Sequence, residues 1–191
     1  MKPVKNAREM RMIGKILVAP REFAVDLSKR KKTKGLAVIS ICSWERDVFF
    51  TEAVKKSMNC QDIISLVFAD LTAKDYKIAP ALLKKYPRFN MKMARKIITF
   101  IDKIKVKDIK LLLIHCDAGV SRSPAVGVWA VRYLSLNGYI GHDEDEFRRE
   151  HPAIGPNTLV YDVLSKASGL RKDYGNWWEN VHIDPKYKLI F

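Results

Sequence analysis

Three short runs of aliphatic residues limit this chain of 191 residues to a small set of folds. The runs lie at 36–42, 63–68 and 111–114, and each is apolar at nearly every position rather than at alternate ones. A strand that is apolar on both faces must be covered on both faces, as in the parallel sheet of an α/β protein. A shorter run at 16–18, stopped by Pro20, predicts a further strand near a sheet edge. We therefore expect a central, mostly parallel sheet of four to five strands flanked by helices.

Helical patterns lie between and after these runs. Residues 91–104 repeat apolar side chains at helical spacing with lysines opposite, which predicts an amphipathic crossover helix between the last two strands. Residues 124–136 are apolar on nearly all sides, which predicts a largely buried helix ended by Asn137-Gly138. Two more helices are predicted at 143–150 and 157–167.

The length suits one compact domain. We expect a basic N-terminal arm at 1–12, a single domain at 13–170 and an aromatic tail at 171–191 that docks on this domain. The tail's aromatic and basic residues could instead stack on nucleic-acid bases. No run of 18 apolar residues and no signal-like N-terminus is present, so we expect no membrane span and a cytoplasmic location. Nothing in the sequence indicates an oligomeric state.

The charge and the cysteines narrow the partners further. Lys and Arg number 35 against 21 Asp and Glu, a formal net charge of +14 that favours polyanionic partners such as nucleic acid or phosphorylated molecules. The three cysteines Cys42, Cys60 and Cys116 form no C-x-x-C pair, which disfavours a disulfide framework and a structural zinc site. We expect no metal or other cofactor. Cys42 and Cys60 are expected to be inert buried thiols rather than disulfide partners that guard Cys116.

The segment 115–124 joins the last apolar run to the buried helix. A loop that leads from a strand into a helix N-terminus aims backbone N–H groups and the positive end of the helix dipole at one point, which favours an anion. Gly119 permits the positive φ that such a turn needs, and Arg122 can offer a planar fork to two phosphate oxygens. We therefore predict a phosphate site formed by Asp117, Ala118, Gly119, Val120, Ser121 and Arg122.

Cys116 stands at the first position of this predicted phosphate site. The same dipoles and Arg122 favour its thiolate, the nucleophilic form of the side chain. A bound phosphate would place its phosphorus in line with the sulfur. Ser123 can donate a hydrogen bond to the sulfur and assist its departure. We expect His115 to orient the loop through its ring nitrogens rather than to titrate in the reaction.

The order His115-Cys116, five residues, Arg122 and Ser123 resembles the signature loop of the cysteine-dependent protein tyrosine and dual-specificity phosphatases. The resemblance implies a dual-specificity phosphatase-like fold over 13–170. It also implies hydrolysis of phosphotyrosine monoesters, and in dual-specificity members of phosphoserine and phosphothreonine monoesters, through a phosphocysteine intermediate. The implied partner is a phosphorylated protein.

A leaving alkoxide or phenoxide needs a proton, so a carboxylic acid is expected on a neighbouring loop. Asp70 follows the run 63–68 at the end where loops of a parallel sheet gather around a ligand, and the family carries its acid there. Asp75 is the second candidate, and we favour Asp70. Farther on, Pro156-Asn157 resembles the Pro-Asn of dual-specificity enzymes, whose asparagine packs near the phosphate loop. Asn157 is equally suited to cap the helix that follows.

Two other functions are compatible with the loop. A polynucleotide 5′-phosphatase or triphosphatase would use the same residues on RNA, for which the basic surface is suited. A module that binds phosphoproteins without hydrolysing them is the third alternative. Intact Cys116, Arg122 and Ser123 disfavour such a module, because simple binding does not require a nucleophile.

Overall fold

A computed structural model provides the structure of the protein and describes residues 13–29, 35–43, 60, 62–79, 81, 86–140 and 143–171. The strands in this part of the chain are β1 (Lys15–Pro20), β2 (Leu36–Cys42), β3 (Asp62–Val67) and β4 (Leu111–Cys116). They form one sheet in the order β1-β4-β2-β3, and every neighbouring pair is parallel. The predicted parallel α/β architecture is confirmed, with four strands among the described residues.

The helices in the same ranges are α1 (Arg21–Lys29), α2 (Ala73–Ile78), α3 (Met91–Ile104), α4 (Arg122–Leu136), α5 (Glu144–Glu150) and α6 (Thr158–Ser168). The amphipathic segment 91–104 forms α3 as predicted. Helix α4 begins at Arg122, two residues before the predicted start at Pro124. Pro124 is accommodated because it lies in the first turn, where a backbone N–H has no intrahelical acceptor.

Continuous apolar sequence produces strands that are buried on both faces, and β2 shows this at all seven positions. Side chains alternate between the faces of a strand. Ile39 and Ile41 therefore join the larger core, with α3, α4 and α6, while Leu36 and Val38 join a smaller core beneath α1. The sheet is thus a middle layer between two helical layers, as its sequence pattern requires.

The topology determines where chemistry can occur. Strand β4 lies between β1 and β2, and its last residue, Cys116, is paired in register with Pro20 at the end of β1. Because all four strands run in the same direction, their carboxyl ends meet at one edge of the sheet, where α/β proteins bind ligands. The loop that follows β4 is therefore central at that edge.

Parts of the predicted organisation lie outside the described residues. These are the basic arm at 1–12 and, apart from Arg171, the aromatic tail at 171–191. Within the described ranges, no helix has the length and apolar character needed to cross a bilayer.

Candidate active site

The loop between β4 and α4 turns several of its carbonyl groups outward. The carbonyls of Asp117, Val120 and Ser121 accept hydrogen bonds from backbone N–H groups of neighbouring segments at 3.1, 2.8 and 3.1 Å. The donors are Arg21, Gly155 and Asn157, respectively. In a trans peptide the N–H points opposite to the carbonyl, so the amide after each of these carbonyls faces the inside of the loop. Together with the N-terminus of α4, these amides form a site suited to an anion.

Gly119 is required by the way this loop packs on β1. Its φ is +77°, and a Cβ at this position would lie 2.5 Å from the Pro20 nitrogen and 2.6 Å from the Ala19 carbonyl carbon. Any larger residue would combine an unfavourable backbone conformation with a clash against main-chain atoms. The predicted glycine turn is therefore present, and it holds the loop against the end of the neighbouring strand.

The Cys116 side chain is buried beneath the loop, with 1% of its surface exposed. Its Sγ accepts hydrogen bonds from the backbone N–H of Gly119 at 3.3 Å and from Oγ of Ser123 at 3.1 Å. Both donors place positive partial charge against the sulfur. The contact predicted from Ser123 is present.

Arg122 is buried, and two of its three nitrogens are held by the protein. Nη1 donates to the Phe68 carbonyl at 2.9 Å and Nη2 donates to Oδ2 of Asp117 at 2.5 Å. Its Nε lies 3.8 Å from Oδ2 of Asp70 and has no hydrogen-bond partner in the described part of the chain. A buried donor without a partner is costly unless a ligand accepts from it. Arg122 therefore presents a fixed, unsatisfied N–H that a phosphate oxygen could satisfy.

The Asp117 carboxylate holds this arginine in place. Its Oδ1 accepts from Arg21, and its Oδ2 accepts from Oγ of Ser43 at 2.5 Å as well as from Arg122. Partial burial raises the pKa of Asp117. The hydrogen bonds from Ser43 and Arg122 and the charges of both arginines outweigh that effect and leave the pKa below its usual value. The sequence pattern assigned only the backbone of Asp117 to phosphate binding, whereas its side chain orients Arg122.

Asp70 is brought to the edge of the loop, as the sequence suggests. Its Oδ1 accepts from Oγ of Ser121 at 2.7 Å and from Nδ2 of Asn157 at 2.8 Å. With Oδ2 close to Arg122, the carboxylate is attached both to the phosphate loop and to the segment that precedes α6. This is the position that a proton donor to a leaving group would need.

Asp75, the second candidate acid, is committed to a helix terminus. It forms a capping box with Thr72, whose backbone N–H and Oγ1 both donate to Oδ2 of Asp75 at 2.7 Å. These bonds, first that from the side chain and then that from the backbone, lower the pKa of Asp75. The carboxylate stabilises the start of α2 and makes no contact with the phosphate loop that the structure records.

Asn157 serves both purposes considered from the sequence. Its Oδ1 accepts from the backbone N–H of Val160 at 3.2 Å, which caps α6. Its Nδ2 donates to Asp70 and, at 3.4 Å, to the Leu71 carbonyl. One amide therefore caps a helix with its oxygen and positions the candidate acid with its nitrogen.

His115 is buried directly before the nucleophile. Desolvation lowers the pKa of its ring to about 4, so the imidazole is neutral around pH 7. Neither ring nitrogen has a hydrogen-bond partner among the residues that the structure describes. The expected orientation of the loop through these nitrogens is therefore not seen there. The ring is buried, with 3% of its surface exposed.

A cleft of about 370 Å³ opens beside Asp70 and Ser121. Its remaining lining residues are Leu71, Thr72, Asp75, Gly155, Pro156, Asn157 and Thr158. The cleft adjoins the candidate acid, Asp70.

The other cysteines are free thiols, and Cys60 lies away from the loop. Cys42 and Cys60 form no disulfide. The Sγ of Cys60 donates to the Asp62 carbonyl at 2.8 Å, and burial raises the pKa of the thiol to about 11. Cys60 is therefore a protonated, weakly nucleophilic thiol at neutral pH.

Sequence reasoning missed the groups that hold Arg122 from outside the loop: the Phe68 carbonyl and, through Asp117, Arg21 and Ser43. The signal that could have identified Arg21 is its place directly after Pro20, at the end of a predicted strand. Once β1 is paired in parallel with β4, the residue after β1 lies beside the residue after Cys116.

Three solved structures show what this chain is similar to. Tk-PTP in its active form has 18% sequence identity and a TM-score of 0.49 over 81% of this chain and 90% of that one. The PTP-2 phosphatase of Cydia pomonella has 17% identity and a TM-score of 0.46 over 82% and 90%. The human tyrosine phosphatase-like serine/threonine/tyrosine-interacting protein has 16% identity and a TM-score of 0.46 over 81% and 91%.

The PTP-2 protein is a phosphatase, and the human protein is tyrosine phosphatase-like. No family model and no curated protein sequence matches the chain.

Proposed function

We propose that this protein is a cysteine-dependent phosphomonoesterase of the tyrosine and dual-specificity phosphatase type, acting on phosphorylated proteins. One observation carries the proposal: the Cys116 sulfur, stabilised by two donors, shares one loop with the unsatisfied Nε of buried Arg122. A nucleophile and a fixed cationic donor in a loop of inward-facing amides are the groups that phosphoryl transfer to sulfur requires.

The reaction would proceed in two steps. The thiolate of Cys116 attacks phosphorus, the bond from phosphorus to the ester oxygen breaks, and the proton of Asp70 passes to that oxygen. A phosphocysteine results. The Asp70 carboxylate then removes a proton from a water molecule whose oxygen attacks phosphorus. The phosphorus–sulfur bond breaks, inorganic phosphate leaves, and Ser123 stabilises the returning thiolate through its hydrogen bond to the sulfur.

The loop lowers the barrier by stabilising charge on the transferring group. Its amides and Arg122 are already oriented before substrate arrives, so little reorganisation is needed as charge shifts in the transition state. Asp117 contributes by preventing rotation of the guanidinium. No residue in this scheme requires a metal ion, so we expect turnover of an aryl phosphate to persist in an excess of chelator.

The proposal is tested by incubating the purified protein with four phosphate esters: p-nitrophenyl phosphate and peptides that carry phosphotyrosine, phosphothreonine or phosphoserine. Each reaction is run with and without a chelator. Release of inorganic phosphate from phosphotyrosine peptides that resists the chelator is the expected result. Phosphate release that disappears with the chelator, or no release from any ester, would contradict the proposal.

The RNA 5′-phosphatase is the second candidate function, and the net charge of +14 is the observation that favours it. Offering 5′-triphosphate RNA and a phosphopeptide together at two salt concentrations separates the two. RNA turnover would fall steeply with salt because binding RNA releases condensed counterions. Preferred turnover of RNA with this dependence would replace the phosphoprotein assignment.

Replacing Asp70 by alanine is expected to lower kcat for phenyl phosphate by about 100-fold, with a smaller change in KM, since the leaving oxygen loses its proton donor. The loss should shrink for p-nitrophenyl phosphate, whose leaving group is less basic. Asp75→Ala is the comparison that separates the two candidate acids: it removes the capping box of α2, at a cost in stability of about 1 kcal/mol, and should lower kcat far less than Asp70→Ala although Asp75 also lines the cleft. Equal activity losses in both variants would contradict the assignment of Asp70.

Replacing Asp117 by alanine is expected to lower kcat/KM by about 100-fold, because a displaced Arg122 no longer meets the transferring phosphoryl group. Asp117→Asn retains an acceptor oxygen and should lose less, and Ser43→Ala, which removes only one donor to Asp117, should change little. The measurement is steady-state hydrolysis of p-nitrophenyl phosphate. If Asp117→Asn and Asp117→Ala both exceeded the parent enzyme, the carboxylate would be a repulsive charge rather than a support for Arg122.

A further inference from the structure

A second concave surface lies away from the phosphate loop, between strand β3 and helix α3. It has a volume of about 540 Å³, and we call it the β3–α3 groove. Its apolar floor is formed by Ile64 and Phe100, and Ile63 lies at its edge because the Ile63 side chain packs against the smaller core on the opposite face of the sheet. Ile64 is only half-buried, so the apolar floor is open to an incoming side chain there. The proposed reaction uses none of these residues.

The rim of the β3–α3 groove is strongly cationic. Four basic side chains project from one face of α3: Lys92, Arg95, Lys96 and Lys103. They share this face because the last three follow Lys92 by three, four and eleven residues. Lys103 pairs with Asp62 at 2.7 Å, a carboxylate that it shares with Lys107. The other three cations are exposed, and no ion pair to them is recorded within the described part of the chain. The groove therefore combines an apolar floor with uncompensated positive charge.

The groove leads away from the candidate active site. Helix α3 begins just after Phe89, whose ring lies 4.7 Å from that of Phe68, the residue whose carbonyl holds Arg122. The backbone N–H of Ala69 donates to the Pro87 carbonyl at 2.8 Å, which ties the Asp70 loop to the approach to α3. From Lys92 to Lys103 the helix rises about 16 Å, the length of roughly five residues of extended peptide.

We propose that the β3–α3 groove docks an acidic segment of the protein substrate, with carboxylates along the rim and an apolar side chain on the floor. The inference rests on the proposed phosphoprotein phosphatase function and names a specificity element for it. Charge complementarity selects the occupant, because a second copy of a chain with net charge +14 would be repelled. A concave floor does not fit a flat bilayer, and its one aromatic ring, Phe100, is buried and offers no face for base stacking.

The test compares phosphotyrosine peptides that share one core. One pair of peptides extends this core on its N-terminal side, and a second pair extends it on its C-terminal side. Within each pair, the flank of one peptide alternates Glu with Leu and the flank of the other alternates Gln with Leu. In at least one of the two pairs, kcat/KM should be about tenfold higher for the peptide with the acidic flank than for the peptide with the neutral flank. The difference should lie mainly in a lower KM, because three weak ion pairs together provide a gain in binding of this size. Equal kcat/KM values for acidic and neutral flanks on both sides would overturn the proposal.

Two variants locate the effect. The triple variant Lys92→Glu, Arg95→Glu and Lys96→Glu should abolish the advantage of the acidic flank and leave hydrolysis of p-nitrophenyl phosphate within about twofold of the parent, since the phosphate loop is unchanged. Thr99→Trp fills the groove without changing the charge and should also abolish the advantage. An advantage retained in both folded variants would exclude the groove as the docking site.

A matched control separates local docking from long-range attraction. The control variant carries three substitutions at exposed positions that do not line the groove: Arg149→Glu, Lys166→Glu and Arg171→Glu. It changes the net charge by the same amount as the triple variant of the groove. This variant should keep most of the advantage, and an equal loss would overturn the proposal. If single-stranded RNA without a terminal phosphate displaced the acidic peptide from the parent but not from the Lys92/Arg95/Lys96 variant, the groove would be an RNA surface instead.

Failure of the docking proposal can be distinguished from failure of the phosphatase proposal. If no phosphate ester is hydrolysed, fluorescence anisotropy of a labelled acidic peptide still reports whether the groove binds it. Binding that the triple variant loses would uphold docking without catalysis. Turnover without a preference for the acidic flank would uphold catalysis and reject docking.

Discussion

Cys116→Ser is expected to lower kcat for p-nitrophenyl phosphate by a factor of about 10⁴ or more, because a hydroxyl in place of the thiolate removes the nucleophile of the first step. Serine is nearly isosteric with cysteine, and the amides and Arg122 that we propose to bind phosphate remain. The variant should therefore still bind inorganic phosphate, detectable by calorimetry or by an increase in thermal stability with phosphate concentration.

Cys60→Ser is the matched control for this variant. The Cys60 thiol is kept protonated by burial, and its sulfur donates to backbone carbonyls remote from the phosphate loop. Its replacement should leave kcat close to that of the parent enzyme. Quenching the enzyme with acid during turnover of a substrate that carries radioactive phosphate should trap the labelled phosphocysteine. Label should be found on the parent and on Cys60→Ser, and should be missing from Cys116→Ser. Full activity of Cys116→Ser would refute the phosphocysteine mechanism.

Arg122→Lys is expected to lower kcat/KM by about 100- to 1000-fold, although it keeps the positive charge. The guanidinium contacts the Phe68 carbonyl and Asp117 through Nη1 and Nη2, which leaves Nε for the phosphoryl group. A lysine ammonium is a single point that cannot make these three contacts in their fixed planar arrangement. Losing one preorganised donor to a transition state costs a factor of this size.

Steady-state kinetics and a thermal melt should be measured on the same Arg122→Lys preparation. The variant leaves Asp117 with Arg21 as its remaining guanidinium partner, so some loss of stability is expected. Arg132→Lys is a suitable comparison, because Arg132 lies on the same helix and donates to the Tyr161 hydroxyl at 2.7 Å. It should affect stability alone. Wild-type kcat/KM in a folded Arg122→Lys enzyme would show that the fixed Nε donor is not needed.

The sheet and the phosphate loop could be predicted because both depend on local order in the sequence. Aliphatic runs that do not alternate can form only strands covered on both faces, and the loop is a continuous segment between one such strand and a helix. Asn157 could also be identified, since an asparagine after proline at a helix start satisfies the requirement for an N-cap. The capping role of Asp75 could also have been recognised, because Thr72 and Asp75 have the spacing of a capping box.

The contacts that orient Arg122 could not be predicted in this way. Arg21 meets Asp117 across 96 positions of sequence, and Ser43 meets it across 74. Which distant residues become neighbours depends on strand order and register, and aliphatic patterns alone do not determine either. The role of the Asp117 side chain follows from the pairing of β1 with β4, so it became visible only with the folded chain. The β3–α3 groove likewise requires knowing that α3 lies against β3.

The attachment of Asp70 to Ser121 and Asn157 has a consequence for the timing of turnover. Enzymes whose acid is delivered by a closing loop are often limited by that movement, which is slowed by friction with the solvent. In this structure the carboxylate already accepts hydrogen bonds from Ser121 of the phosphate loop at 2.7 Å and from Asn157 at 2.8 Å. The limiting event should therefore be a bond-breaking step, so kcat measured in glycerol or sucrose should be independent of viscosity.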